Sequence, residues 1–449
     1  MRLRRGLPSR SSRSGASCSG ISSVTGCVHE RPVPCKQEGF GSMGRSLVKN
    51  RVLMVMTRDI PQDVSNGRER TLRFIRKAIG DHTEVAEFKI RSVFEEGGIG
   101  AKIGAAVRVG WSVLRGAPCA LQVAMFSHPR KRMALLRVID AFKPDVIYFD
   151  GIRLVDYAIL VRHRVPGCRI VVDFDDLMSR RANILREQDF PLSAGYLEKS
   201  LPGPFVRLAN ARLIRNALLG YEAYALKRQE CEAIGASHAV TLVSTEDAHA
   251  LRCSLTDAEA MKTHVIAPPM NALLPVRHPV TPFRFVFIGS DRQLQNRLAI
   301  EYLVALWARV GPATPLVIYG RMAGRYDPVP NVEFAGFAPT QADVYTPSSI
   351  ALCPAFLRGG IKSKVLEAVS YGCVPVGNEA AFEGLGFHDD TLAMSESRLE
   401  RFIVEPAAEL DRVVEAAMRF AAYCEQRFST PVFDRRWRKL IAPPPDNPS

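Results

Sequence analysis

No stretch of the 449-residue chain approaches the ~20 consecutive apolar residues that a helix needs to cross a bilayer, so no helical membrane span is expected. Paired cysteines are missing as well. The ten cysteines (Cys18, Cys27, Cys35, Cys119, Cys168, Cys231, Cys253, Cys353, Cys373 and Cys424) include no C-x-x-C pair, and several fall inside apolar stretches, where a free thiol behaves as a small hydrophobe. That argues against a zinc ribbon and for a reducing compartment, hence a cytoplasmic protein. The nine histidines form neither H-E-x-x-H nor a Ser-His-Asp arrangement at an elbow. Acidic residues are in deficit, 46 against 60 Lys and Arg, for a formal charge of +14. The excess is uneven: residues 1–50 hold nine Lys or Arg and two Glu. A basic, Ser- and Gly-rich tail over 1–44 without apolar periodicity explains much of the charge, and no nucleic-acid reader motif accompanies it, so no nucleic-acid partner is expected. Met43 is a candidate start. Residues 1–42 are expected to be dispensable, and truncation to Met43 should leave folding and activity intact.

What is present is an alternation of short apolar runs with helical stretches, the pattern of parallel sheets covered by helices. Strands are predicted at 51–56, 85–90, 145–149, 169–174 and 239–243, and again at 283–288, 315–319, 332–334, 350–353 and 374–376, with helices over 67–79 and 131–142. Between the two series Pro268, Pro269, Pro275, Pro279 and Pro282 mark a linker, 268–282. At this length two domains are the default. The reading is α/β: two Rossmann-like domains facing a central cleft, an N-terminal one over 45–267 with a helical insertion at 180–232, and a C-terminal one over 283–427. A closing helix and tail over 428–449, containing Trp437, crosses back to the first domain or packs at an edge. Within the insertion, Phe205 to Leu219 mixes Arg207, Arg212 and Arg215 with apolar residues. Such a helix either lies on anionic lipid or an acceptor, or packs on its own domain.

The most informative segment runs from Cys353 to Val376. A strand ends near Pro354, a loop with Arg358, Gly359 and Gly360 follows, and a helix opens near Ile361 and closes at Gly372. A glycine loop feeding a helix N-terminus offers unpaired backbone N–H groups and a positive dipole end, to which phosphate binds readily. Arg358, Lys362 and Lys364 add charge-assisted contacts, and Glu367 lies further along the helix, where it can accept from sugar hydroxyls. An ordinary strand–helix crossover with a basic helix has the same pattern.

Glu367-Ala368 with Gly372, Pro375 and Val376, followed by Glu383-Gly384-Leu385, resembles the donor-binding signature of the large family of retaining GT-B glycosyltransferases (family 4, glycosyl transferases group 1). Val332 to Phe337 resembles that family's strand next to the nucleotide base, Gly320-Arg321 the preceding strand end, and Gly289 with Asn296 the start of its second domain. Lys143-Pro-Asp-Val-Ile147 and Val171 to Leu177 resemble segments of its first domain, and Gly67 its loop after the first strand. The resemblance implies transfer of a sugar from a UDP- or GDP-sugar to a hydroxyl of a saccharide or lipid-linked acceptor, with retention, in polysaccharide or glycoconjugate synthesis at the cytoplasmic face of a membrane. It implies Lys364, Glu367 and Asp175 as catalytic residues. Gly67, Gly289, Arg292, Gly320, Arg321, Phe337, Arg358, Gly359, Gly360 and Lys362 would bind the donor, with no metal and no cofactor.

Two departures stand out. Position 359 is glycine where many members carry an acid eight residues before Glu367, and Asp175 replaces a histidine. The first keeps alive a non-catalytic nucleotide-sugar-binding partner in an assembly complex, alongside a GT-B nucleotide-sugar epimerase. Asp173-Phe-Asp175 also has the form of the metal-binding D-x-D of the other major glycosyltransferase fold, but the tandem layout favours GT-B.

Overall fold

The computed structural model describes residues 50–60, 67–188 and 208–442. By contacts the chain divides into Met1–Val48 and Lys49–Ser449. The first unit, and with it the basic tail, lies outside the described residues. Two parallel sheets form the second unit. β1 (Arg51–Met56), β2 (Glu84–Lys89), β3 (Val146–Asp150), β4 (Arg169–Asp175), β5 (Ala239–Leu242) and β6 (Thr263–Val265) lie in the order β2-β1-β3-β4-β5-β6. β7 (Arg284–Ile288), β8 (Leu316–Tyr319), β9 (Val332–Gly336), β10 (Ser349–Leu352) and β11 (Val374–Val376) lie in the order β11-β10-β7-β8-β9. This is a mixed α/β fold with two doubly wound lobes. The apolar runs are strands because helices cover both faces: β1, β3 and β4 each keep at least five buried residues in succession. Only β6 has no counterpart in the pattern. It is three residues at the sheet edge, half of its surface wet, with no apolar run to read.

The helices used below are α1 (Gly67–Gly80), α2 (Ile99–Leu114), α3 (Pro129–Phe142), α4 (Val155–Arg164), α5 (Met178–Glu187), α6 (Arg212–Ala236), α7 (Thr245–Arg252), α8 (Leu294–Val310), α9 (Ser363–Ser370), α10 (Glu396–Val404), α11 (Leu410–Phe428) and α12 (Thr430–Ile441). In the second lobe the Phe285 ring meets Trp307 of α8 and Phe402 of α10 edge-on, at 5.6 and 5.9 Å between centroids. The first sheet packs one face on α3, α4 and α6 and the other on α1 and α12. α11 belongs to the second core and ends at buried Phe428, whereas α12 buries Phe433, Trp437, Leu440 and Ile441 against the first sheet. Trp437 sits edge-on to Tyr148 of β3 at 5.7 Å. The chain therefore returns to its first lobe at its end, and a single large indole anchors that return.

The 180–232 segment falls on α5 and α6, with 189–207, including Phe205 and Arg207, outside the described residues. Its basic stripe is split: Arg212, Leu213 and Ile214 are exposed, whereas Arg215 and Leu219 are buried and α6 continues into the core through Leu226 and Ile234, so the helix packs on its own domain while its opening turn stays at the surface. The 268–282 stretch has no regular structure, since five prolines leave too few N–H donors for a ladder.

Candidate functional site

In each sheet the strand order reverses at a central strand, and loops that leave neighbouring strands in opposite directions open a crevice there. In the second sheet this is between β7 and β10. The loop after β10 carries Gly359 and Gly360, both left-handed at φ 88° and 63°, and delivers the chain to the N-terminus of α9. Gly384, at φ 88°, backs this loop so closely that a Cβ would lie 2.6 Å from the Gly360 carbonyl oxygen. Replacing Gly384 with alanine must move one backbone or the other. We expect about 1–2 kcal/mol of left-handed strain, read as a lowered thermal midpoint by calorimetry.

Gly359, Gly360, Lys362 and Lys364 line one wall of a cleft, and Asp176 and Arg181, from the end of β4 and from α5, line the other. Asp176 reaches across so far that a Cβ on Gly360 would touch its carboxylate at 2.5 Å. Two ion pairs also bridge the lobes. Arg70 of α1 donates to Glu367 of α9 at 2.8 Å, and Arg180 of α5 holds Asp247 and Glu383 at 2.7 Å each. Most anion-binding groups of the wall are engaged: the Gly359 N–H donates to Glu383 at 3.3 Å, Lys362 to the Gly359 carbonyl at 2.5 Å, and Arg358 to Glu379 at 3.1 Å. Lys364 is the exception. Among the described residues it forms no ion pair; its ammonium lies 5.6 Å from the centroid of the Phe287 ring. Burial lowers its pKa, opposed by the field of Glu367 one turn on. A half-buried cation with no ion-pair partner among the described residues thus stands beside a helix N-terminus, where backbone N–H groups and the helix dipole favour negative charge.

A second group lies at the ends of β7, β8 and β9. Gly289 is pressed against Asn296 of α8, with a Cβ position 2.7 Å from its Cγ, and Gly320, at φ 141°, against the Gly289 carbonyl at 2.3 Å. These contacts admit only glycine. Asn296 also lines the cleft, so it joins this group to the phosphate loop. Arg321 stacks its guanidinium 5.0 Å from the centroid of Phe337, an exposed ring that offers a flat apolar face at the rim. Arg292 projects to solvent from the turn after β7, away from the cleft lining. Gly67 opens α1 with nothing within 4 Å of a Cβ position and no left-handed backbone, so neither crowding nor φ requires glycine there; the loop before it, 61–66, is outside the described residues.

At the reversal point of the first sheet a buried charge cluster occupies the strand ends. Arg68 of α1 donates to Asp150 at 2.5 Å and Asp173 at 2.9 Å and lies 3.1 Å from Asp175. Tyr148 donates to Asp173 at 2.7 Å, as does Thr241, and Thr57 donates to Asp150 at 2.9 Å. The guanidinium sits among the carboxylates of the Asp173-x-Asp175 pair. Burial opposes the charge on Arg68, but Asp173, Asp175 and Asp150 outweigh it and raise its pKa. Asp175 has the opposite fate. Its backbone is left-handed at φ 65°, at a break in the β4–β5 register. Burial, then the neighbouring carboxylates of Asp176, Asp173 and Asp150, outweigh Arg68 and push its carboxyl up to about 7. A second guanidinium, Arg58, lies 3.8 Å from Asp150.

Sequence reasoning did not find Arg68, Arg70, Tyr148, Asp150 or Arg180. Their signal was an unusual Arg-Glu-Arg opening α1 and an aspartate ending β3, neither of which names its partner without the fold.

The sequence matches no protein-family model and no curated protein. Solved structures share its architecture along nearly their whole length. Sucrose-phosphate synthase from Thermosynechococcus elongatus is 12% identical with a TM-score of 0.59, covering 87% of this chain and 98% of that one. The apo lipopolysaccharide outer core galactosyltransferase WaaB is 11% identical, TM-score 0.52, over 87% and 99%. The trehalose-6-phosphate structure from E. coli bound with UDP-2-fluoro glucose is 11% identical, TM-score 0.50, over 87% and 99%. The fold is that of the GT-B glycosyltransferases.

Proposed function

We propose that this protein is a glycosyltransferase that moves a sugar from a UDP- or GDP-sugar to a hydroxyl of a saccharide or lipid-linked acceptor in the cytoplasm. The observation that carries the reading is Lys364: a half-buried ammonium without an ion-pair partner among the described residues, on the first turn of α9, behind a left-handed Gly359-Gly360 loop at the reversal point of the second sheet. Cleaving the anomeric bond leaves negative charge on a diphosphate. Lys364, Arg358 and the α9 N-terminus neutralise it as it develops, without a metal or cofactor. Phe337 and Arg321 take the base. Glu367 exchanges Arg70 for hydroxyls of the donor, and Glu383 yields the Gly359 amide to a phosphate oxygen. Asp175, when ionised, accepts a hydrogen bond from a reacting hydroxyl. The ordered motifs over 283–386 support the large retaining family, and a neighbour of the same fold that holds UDP-2-fluoro glucose supports a uridine diphosphate donor.

The test is a thermal-shift screen against UDP, GDP, ADP and their sugar conjugates. A ligand at 100 times its Kd adds about 2.7 kcal/mol, well within reach of the method. One nucleotide family should stabilise the protein, and Glu367→Ala should abolish that response. No response to any nucleotide would overturn the donor site.

A further inference from the structure

α2 is apolar nearly all round, yet it lies at the surface. Its sequence, Ile99-Gly-Ala-Lys-Ile-Gly-Ala-Ala-Val-Arg-Val-Gly-Trp-Ser-Val-Leu114, contains no acid, and none of its residues is fully buried. Ala105 and Val109 face the first core. On the opposite side Ile99, Ile103, Val107, Trp111, Val113 and Leu114 are between 50% and 80% exposed. At 100° per residue these six, with Ala106 and Gly110, fill a continuous arc of about 160° that holds no charge. A soluble helix turns the reverse way, apolar side inward. Exposed apolar residues scattered singly need no explanation, but a contiguous stripe does.

The charges around the stripe say what covers it. Lys102 borders one edge, and Arg115, stacked 4.8 Å from the Trp111 ring centroid, borders the other. Arg108 and Arg132 share Asp156, which sets the start of α3, with Arg130, Lys131 and Arg132, beside α2. Two acids precede the helix: Glu96 is neutralised by Arg91 and Lys131, and Glu95 is exposed beside it. An uncharged apolar face with an indole near one end, rimmed by Lys and Arg, matches a helix lying in a bilayer interface with its cations at anionic headgroups.

We propose that α2 docks the protein on an anionic lipid surface, its apolar face sunk below the headgroups. This assignment is independent of the donor site and rests on a different helix from the basic segment in the 180–232 insertion, whose Arg215 and Leu219 pack inward.

The protein carries its own reporter. Of its three tryptophans, Trp307 and Trp437 are buried and Trp111 is 55% exposed. The full chain should be mixed with vesicles of phosphatidylglycerol and phosphatidylcholine, and separately with phosphatidylcholine alone. The expected result is a blue shift of emission and co-sedimentation with the anionic vesicles only. Val107→Asp should lower the bound fraction at least ~10-fold with an unchanged thermal midpoint, as a charge in the apolar face should. Lys102→Glu with Arg115→Glu should weaken binding while leaving the fold intact. Four outcomes overturn the proposal: no shift with anionic vesicles; equal binding to phosphatidylcholine alone; lipid-free emission already blue in a monomer, which means another segment of the chain covers the face; and lipid-free dimerisation that Val107→Asp abolishes, which means a second copy does.

Discussion

Lys364→Ala is expected to lower turnover by roughly 10² or more, the scale of removing one donor that acts on charge developing in a transition state. The reason is the geometry of the wall. Lys362 bonds the Gly359 carbonyl and Arg358 pairs with Glu379, so each exchanges one partner for another when diphosphate enters. Lys364 exchanges no carboxylate among the described residues: its ammonium lines the cleft over the Phe287 ring. Its loss removes counter-charge that no neighbour on the wall is free to replace. Lys364→Arg should restore part of the activity, because the charge returns at a different reach. The measurement is steady-state kcat and KM with the nucleotide-sugar that the thermal screen selects. Full activity in Lys364→Ala would remove this residue from the site and leave the α9 N-terminus as an ordinary helix start.

The second large effect is on pH. Asp175 has its carboxyl pushed from the ordinary 3.8 up to about 7 in the folded protein. A hydroxyl-binding role needs the ionised form, so kcat/KM should rise with pH and level off above about 7. At pH 5 it should sit roughly 10² below the plateau, one decade per unit under the controlling pKa. Stability runs the other way. Between 3.8 and about 7 the folded protein holds a proton that the unfolded chain has released, so this group's contribution falls as pH rises through that window and is flat above it. Asp175→Asn keeps the side chain neutral throughout. It should abolish the acid limb of the activity profile, and its thermal midpoint should gain on the parent's as pH rises from 5 to 8. Asp150, whose pKa is lowered because Arg68 and Arg58 outweigh its burial, gives the opposite slope at lower pH in both proteins and cancels in the difference. An acid limb unchanged in Asp175→Asn would assign it to another group.

The strands were legible because a parallel sheet covered on both faces leaves a near-continuous apolar run, and ten of the eleven could be read to within a residue or two at most of their ends. β6 escaped because an edge strand of three residues has no such run. The Gly359-Gly360 loop and the start of α9 were legible for a local reason: left-handed backbone needs glycine, and a helix that opens on a glycine loop presents its N–H groups wherever it occurs. The segment from Phe205 to Leu219 left two readings open because composition gives the amphipathic period and not the direction of the apolar face. In its described part the packing of α6 turns Arg215 and Leu219 inward and leaves Arg212, Leu213 and Ile214 exposed, while α2 ends with its apolar side in water.

By itself, then, the sequence determined ten of the eleven strands, the parallel α/β layout, the two lobes and the glycine loop, because these follow from side-chain period and backbone sterics acting over a few residues. Only the tertiary structure decided which charges meet. Arg70 and Glu367 are 297 positions apart, and Arg180 and Glu383 are 203 apart. Arg68 finds Asp150 of β3 and Asp173 and Asp175 of β4. Electrostatic energy depends on distances of a few ångströms and on burial, and a linear order of residues carries neither until the chain has closed on itself.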